Sequence, residues 1–271
     1  MQAPDRYRRL YEALWWPRLK SALEQIPVLR RIYSGWSRTH PFDLAHGIDT
    51  SGYIPAAECA GDSGMAASIS PYAGSQPSII RTVLASLPHT SAYAFVDIGC
   101  GKGRPLVVAS EFSFQRIVGV EWSPQIAALA CANADVIAAR HPERARIEIE
   151  VGDATIVRAP TTNVVFYMYH AFDRELVAAL VSNLEQQLQA GLEHAFFVYY
   201  DPVHSAVFDQ SPHFTRWSAQ MLPYAADELG FGPDLEDAVV VWQSRPERHQ
   251  ARPGADRAVV VDGKNWCQLL D

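Results

Sequence analysis

The stretch Val96-Asp97-Ile98-Gly99-Cys100-Gly101-Lys102-Gly103-Arg104 constrains this chain more than any other. With Ala94 and Phe95 before it, an apolar run ends in an acid and then opens into glycines at every second position. Alternating glycines let the backbone turn sharply and approach another group closely, because no Cβ obstructs either. The next residues, Arg104-Pro105-Leu106-Val107-Val108-Ala109, suit a helix with proline in its first turn. Strand, glycine loop and helix N-terminus in that order define a βα unit with a ligand site at the turn. A dinucleotide fingerprint, G-x-G-x-x-G, would put its last glycine at position 104, where this chain has arginine. That residue argues against a nicotinamide oxidoreductase.

Strand and helix patterns alternate from there, as in a mostly parallel sheet covered on both faces. The spacing predicts strands at 94–98, 116–121, 146–151, 163–169 and 195–200, and helices at 105–113, 124–140, 173–189 and 203–209. Two further strands, 213–219 and 238–243, follow a change of style. A helix from Ser75, a possible N-cap, runs to about Leu87. The second strand ends in Glu121, 22 residues after Gly99. A carboxylate there can accept from both hydroxyls of a ribose, or simply serve as a strand-end acid beside a helix. Trp122 follows and can lie on an adenine face. Ser123-Pro124 opens the next helix as N-cap and first turn. The third strand ends in Gly152-Asp153-Ala154, which alone reads as a turn.

The pattern D-x-G-x-G-x-G, through Asp97, Gly99, Gly101 and Gly103, resembles the first motif of class I S-adenosylmethionine-dependent methyltransferases. Within that family the chain looks most like bacterial methyltransferases of unassigned substrate. Those carry a GKGR loop, here Gly101-Lys102-Gly103-Arg104, and an F-D-x-x-x-G-I-D-T-x-G leader, here Phe42 to Gly52. More distantly it is similar to the non-SET-domain lysine methyltransferases. The resemblance covers roughly residues 75–243. It implies a doubly wound, mostly parallel seven-stranded sheet of Rossmann-like type, closed by an antiparallel pair. It also implies S-adenosylmethionine as cofactor. The loop, Lys102 included, would wrap the methionine half. Glu121 would hold the ribose, Asp153 would accept from the adenine amine, and the Ala154 amide would donate to a ring nitrogen.

The fourth strand is where the family binds its methyl acceptor. Amino-group methyltransferases often carry Asn/Asp-Pro-Pro or Asn-Pro-Phe there, whereas this chain has Tyr169-His170-Ala171-Phe172. His170 can act as general base, having an ordinary pKa of ~6.5, or only hydrogen-bond the acceptor. Asp201 and His204, after the fifth strand, are further catalytic candidates with Tyr169. Tyr72, Gln76 and Phe172 are candidate substrate or methionine contacts. No histidine, cysteine or acid cluster has metal spacing, and neither a G-x-S-x-G elbow nor a GKS/T phosphate loop occurs.

Composition bounds the remaining choices. The 271 residues are 48% hydrophobic, enough for a full core. No run approaches the ~18 apolar residues of a membrane helix, and the first residues lack a signal peptide's apolar core. Cysteines 59, 100, 131 and 267 show no paired spacing, which fits free thiols in a cytoplasmic protein. Cys100, within the loop, is a packing residue or a reactive thiol. Net charge is −7, with +5 on residues 1–38 and −12 on the remainder. An acidic body argues against general nucleic-acid binding. Residues 6–33 have helical spacing interrupted by Pro17 and Pro27; this basic, aromatic helix packs on the main domain or touches a membrane surface or partner.

These readings divide the chain into a helical and irregular N-terminal cover (1–74), a cofactor-binding domain (75–243) and a C-terminal extension (244–271) with an edge strand near 258–263. The expected activity is methyl transfer to a nitrogen or oxygen of a peptide, protein side chain or small metabolite. The alternative is a non-catalytic S-adenosylmethionine-binding scaffold.

Overall fold

Five parallel strands form between residues 94 and 200: four are largely apolar runs buried on both faces, and the one at 147–151, whose residues alternate, is a partly exposed edge. These are β3 (Ala94–Ile98), β4 (Ile117–Glu121), β5 (Ile147–Val151), β6 (Asn163–Tyr169) and β7 (His194–Tyr200). Before them come α1 (Pro41–His46), β1 (Tyr53–Ile54), α2 (Ala56–Ala60), β2 (Tyr72–Ala73) and α3 (Pro77–Ser86). Between and after the parallel strands come α4 (Arg104–Ala109), α5 (Pro124–Arg140), α6 (Arg174–Gln189) and α7 (Ser205–Asp209). The chain continues through β8 (Thr215–Pro223), β9 (Glu236–Gln243), β10 (Ala258–Asp262) and β11 (Trp266–Leu270). The structure, a computed structural model, describes residues 35–245, 247–262 and 266–270. The expected helical stretch 6–33 lies outside the described residues.

The main sheet has the order β5-β4-β3-β6-β7-β9-β8, with β9 antiparallel to both β7 and β8. The seven-stranded, mostly parallel sheet and its closing antiparallel pair agree with the sequence expectation. Strand direction of growth reverses between β3 and β6, so a crevice opens at the carboxyl ends of these strands. Period-two alternation divides the core between the two faces. Phe95, Val165, Phe196 and Val198 pack with Ile79, Ile80, Leu106 and Ile137 from α3, α4 and α5. Val96, Ile98, Phe166 and Phe197 pack with Val177, Leu180 and Phe208 from α6 and α7.

Several local expectations are corrected. Gln76, not Ser75, is the N-cap of α3; its side chain does not cap the helix, and the Glu228 carboxylate accepts from the first-turn Ser78 amide at 2.8 Å. Ser75 instead accepts from the Tyr167 hydroxyl at 2.9 Å. Helix α4 ends at Ala109 rather than 113, with Phe112 and Phe114 turned into the core beside it. Strand β8 starts at Thr215 and runs to Pro223, with a register shift between Arg216 and Ser218. Residues 258–262 do not edge the main sheet. They pair with β11 in a separate antiparallel hairpin.

The cover is fastened to the glycine loop by a polar clasp. Asp43, almost wholly buried, accepts from the Thr50 amide (2.7 Å), the Thr50 hydroxyl (2.5 Å) and the Ser51 hydroxyl (2.6 Å). Arg104 donates to Thr50 Oγ1 (2.7 Å), Thr50 O (2.9 Å) and Ser75 O (3.1 Å), and lies 4.0 Å from Asp43. Lys102 Nζ donates to Asp49 Oδ1 (3.0 Å) and Ser51 O (2.7 Å). Asn133 on α5 closes the ring by donating to both Asp49 O and Lys102 O. The leader and the GKGR loop are therefore two halves of one hydrogen-bonded unit. A buried carboxylate with three donors and a guanidinium nearby is the arrangement that makes burial of both charges tolerable.

Candidate active site

A cavity of about 260 Å³ opens at the carboxyl ends of β3, β4, β5, β6 and β7. Its floor is the glycine loop. Gly99 has φ 72° and Gly101 φ 54°, left-handed conformations that cost other residues ~1–2 kcal/mol each. At Gly101 the reason for glycine is double. A Cβ there would lie 2.3 Å from Cε2 of Tyr72, whose ring rests directly on the loop. Tyr72 is held by its hydroxyl, which donates to Thr50 O at 2.7 Å. Cys100 packs against Gly119, where a Cβ would meet its Sγ at 2.8 Å, and burial raises its thiol well above the ordinary value. Both observations favour the packing reading of Cys100.

Asp97 is the last acid before the loop, and its Oδ2 is buried without a hydrogen-bond partner. Burial, reinforced by the Glu121 charge, holds its carboxyl well above the ordinary range. Glu121 accepts from the Gly101 amide at Oε2 and the Ser123 amide at Oε1, both at 2.9 Å. Each oxygen keeps a lone pair for a further donor. Burial raises its pKa, against the pull of the Ser123, Gly101 and Trp122 backbone amides. Trp122 beside it is 43% exposed while lining the cavity, so an aromatic face stands open at the rim. Asp153 and Ala154 line the same end. Asp153 Oδ1 accepts from the Thr155 amide (2.8 Å) and hydroxyl (2.7 Å), capping a short 3-10 turn.

The opposite end is walled by Tyr167, Tyr169, His170, Phe172 and Asp201. His170 (φ 30°) and Asp201 (φ 52°) are both left-handed and end neighbouring strands, whose last residues, Tyr169 and Tyr200, pair in register. Such backbone costs ~1–3 kcal/mol per residue and collects at functional sites. The His170 Nδ1 is buried without a partner. Burial, and then the neighbouring His204 ring 5.7 Å away, lower its pKa to about 4. Asp201 Oδ1 accepts from the Cys267 amide of β11 at 3.1 Å, which ties the C-terminal hairpin to this wall. A roof crosses above: Ser70 N donates to Ala171 O, Asp173 N donates to Ser68 O, and Ile69 bridges Phe172.

Four sequence candidates stand elsewhere. Lys102 points into the clasp, and Gly103 is the N-cap of α4. Gln76 is buried against His40 and Phe231 O, and His204 lies behind His170 rather than on the cavity wall. Trp36, Tyr53 and Met65 line the cavity without being among the expected site residues, and so does Arg104, which the sequence marks only as part of the GKGR loop and a departure from the dinucleotide pattern. Among the described residues no group of acids, histidines and cysteines has the geometry of a metal site, and no helix is long and apolar enough to cross a membrane.

The sheet order, the crevice and the loop after β3 define a doubly wound, Rossmann-like α/β fold. No protein-family model matches the chain, and no curated protein does. Among solved structures, the O-methyltransferase from Bacillus cereus in complex with SAH (S-adenosylhomocysteine) is 13% identical over 63% of this chain and 81% of that one, with a TM-score of 0.44. The RNA methyltransferase from Salinibacter ruber, also in complex with SAH, is 19% identical over 66% and 96%, with a TM-score of 0.39. SMU.472, complexed with SAH, is 12% identical over 61% of this chain, with a TM-score of 0.42. The match spans 52%, about half, of the SMU.472 chain.

Proposed function

We propose that this protein transfers the methyl group of S-adenosylmethionine to a nitrogen or oxygen acceptor. The observation that carries this reading is the convergence of unsatisfied groups on one cavity. The orphaned Asp97 Oδ2 suits an ammonium, the spare lone pairs of Glu121 suit ribose hydroxyls, and the open face of Trp122 suits an adenine. Asp153 and the Ala154 amide, lining the same cavity as Trp122, suit the edge of an adenine. The residues present therefore fit the cofactor from end to end.

Bound there, S-adenosylmethionine supplies a methyl carbon already activated by its sulfonium. The protein's share is alignment and exclusion of water, and alignment alone is worth up to ~7–11 kcal/mol. The Tyr169–Phe172 wall and the roof at Ile69 and Ser70 enclose the acceptor end. His170 is neutral at pH 7 and has a free Nδ1. An imidazole of such low basicity takes a proton only from an acceptor that methylation makes strongly acidic, a hydroxyl or an amide rather than an alkylamine, so we assign His170 as the proton acceptor for that class. Tyr169 and Asp201 orient the acceptor, Phe172 packs on it, and His204 acts only through His170. The site operates in a cytoplasmic protein made of cover (1–74), cofactor domain (75–243) and C-terminal extension (244–271).

One observation favours the non-catalytic reading: the roof is bonded to the strand end where an acceptor must enter. Incubation with methyl-labelled S-adenosylmethionine and fractions of peptides, proteins and metabolites separates the two. Release of SAH with label on an acceptor supports the enzyme; tight cofactor binding without SAH release in any fraction supports the scaffold.

A further inference from the structure

The amino-acid end of S-adenosylmethionine carries an ammonium and a carboxylate, and a site that binds it needs an answer to both charges. The cavity wall is acidic, through Asp97, Glu121, Asp153 and Asp201. Among the described residues lining it, Arg104 is the one lysine or arginine. A carboxylate brought into this cavity without a cation beside it would be strongly disfavoured.

Arg104 is also placed and half-free. It follows Gly103 directly, so Asp97 and Arg104 bracket the glycine loop at its two ends. Its side chain is fixed by three donated hydrogen bonds, to Thr50 Oγ1, Thr50 O and Ser75 O. A guanidinium has five N–H groups, so two remain. Gly74 lies against the guanidinium, since a Cβ there would be 2.5 Å from Cζ. Any larger residue at 74 would push the group off this wall. Asp43, the nearest carboxylate, is 4.0 Å away and is already satisfied by Thr50 and Ser51.

We infer that Arg104, besides latching the cover, is the anchor for the cofactor's α-carboxylate, with Asp97 taking the ammonium across the loop. This rests on the reading of the cavity as an S-adenosylmethionine site. It gives the arginine that stands in place of a dinucleotide fingerprint's last glycine a binding role. A guanidinium pre-positioned by three bonds loses little freedom when it pairs with a carboxylate.

The test compares S-adenosylmethionine with decarboxylated S-adenosylmethionine, which differs only in lacking the carboxylate, by calorimetric titration of the full chain. Wild type should bind the first more tightly by roughly 10- to 100-fold, as for loss of a charge-assisted hydrogen bond. In Arg104→Gln that preference should collapse to about twofold or less, because S-adenosylmethionine loses its carboxylate partner on top of the loss that the broken latch imposes on both ligands. Arg104→Lys, which keeps a charge and is the gentler change for folding, should retain a preference of a few fold. Thr50→Val removes one of the three bonds that fix Arg104 and keeps the guanidinium, so it should weaken both ligands while retaining more of the preference than Arg104→Gln does. Equal wild-type affinity for the two ligands would overturn the assignment. So would equal losses for both ligands in Arg104→Gln and Arg104→Lys, which would leave Arg104 a latch only. Failure of wild type to bind either ligand would overturn the cavity reading itself, a result distinct from both.

Discussion

Tyr72 fills the space above Gly101: its ring stands where a side chain at 101 would begin, with Cε2 only 2.3 Å from the position of a Cβ. The loop is thus shaped from two sides, by its own left-handed glycines and by a tyrosine of the cover. Gly101→Ala should therefore weaken S-adenosylmethionine at least tenfold, ~1.4 kcal/mol, by displacing the tyrosine as well as straining the backbone. Tyr72→Leu combined with Gly101→Ala should recover part of that loss. Affinities of the two single variants and the double variant form a cycle, and strict additivity would show that the contact plays no part.

Glu121 should matter equally to substrate and product. Glu121→Ala removes hydrogen bonds to groups that S-adenosylmethionine and SAH share, so both should weaken by ~1.5–3 kcal/mol. The variant also frees the Gly101 and Ser123 amides, so melting temperature should be followed beside affinity. A loss confined to one of the two ligands would contradict the ribose role.

The clasp should behave as a buried charge network in its centre and as a half-exposed pair at its edge. Asp43→Ala leaves Thr50, Ser51 and the buried Arg104 without their carboxylate and should cost ~3–5 kcal/mol in urea unfolding. Lys102→Met breaks a pair whose acid is 65% exposed and should cost ~1 kcal/mol or less. Similar costs for the two would mean that the clasp is not graded by burial.

The pH dependence of turnover should reveal a histidine held neutral. With the His170 pKa lowered to about 4 by burial and by His204, the neutral, proton-accepting form dominates above that pH. Activity with an identified acceptor should then be lost on acidification toward pH 4 rather than through 6.5. His170→Ala should reduce turnover by ~10²–10⁴ and leave S-adenosylmethionine affinity nearly intact. His170→Asn should stay slow. Near-wild-type turnover in His170→Asn, with an unchanged pH profile, would reduce the residue to a hydrogen-bonding role.

Local grammar made the central βα units legible. Apolar runs, the loop glycines, Ser123-Pro124 and the acids at strand ends are features of a few consecutive residues, and β3, β4, α5 and Glu121 stand where they imply. The partners of Lys102 and Arg104 were not legible, because Asp49 and Thr50 lie some fifty residues away and only the folded sheet brings them together. Lys102 read as a cofactor contact for that reason, and Arg104 as a mere departure from a glycine pattern. Gln76 read as a ligand contact because its neighbours lie at Phe231 and His40, distant in sequence. The strand at 258–262 is visible in its valines, but a valine pattern does not encode its pairing with β11 rather than with the main sheet.

The central claim is that the crevice at the ends of β3 and β4 is an S-adenosylmethionine site. Calorimetric titration of the wild-type chain with S-adenosylmethionine, with NADH as the competing ligand class, tests it most directly. Saturable one-to-one binding of S-adenosylmethionine, weakened in both Gly101→Ala and Glu121→Ala, with no saturable binding of NADH, is the predicted result. Absence of S-adenosylmethionine binding to folded wild type, or saturable binding of NADH in its place, would contradict it.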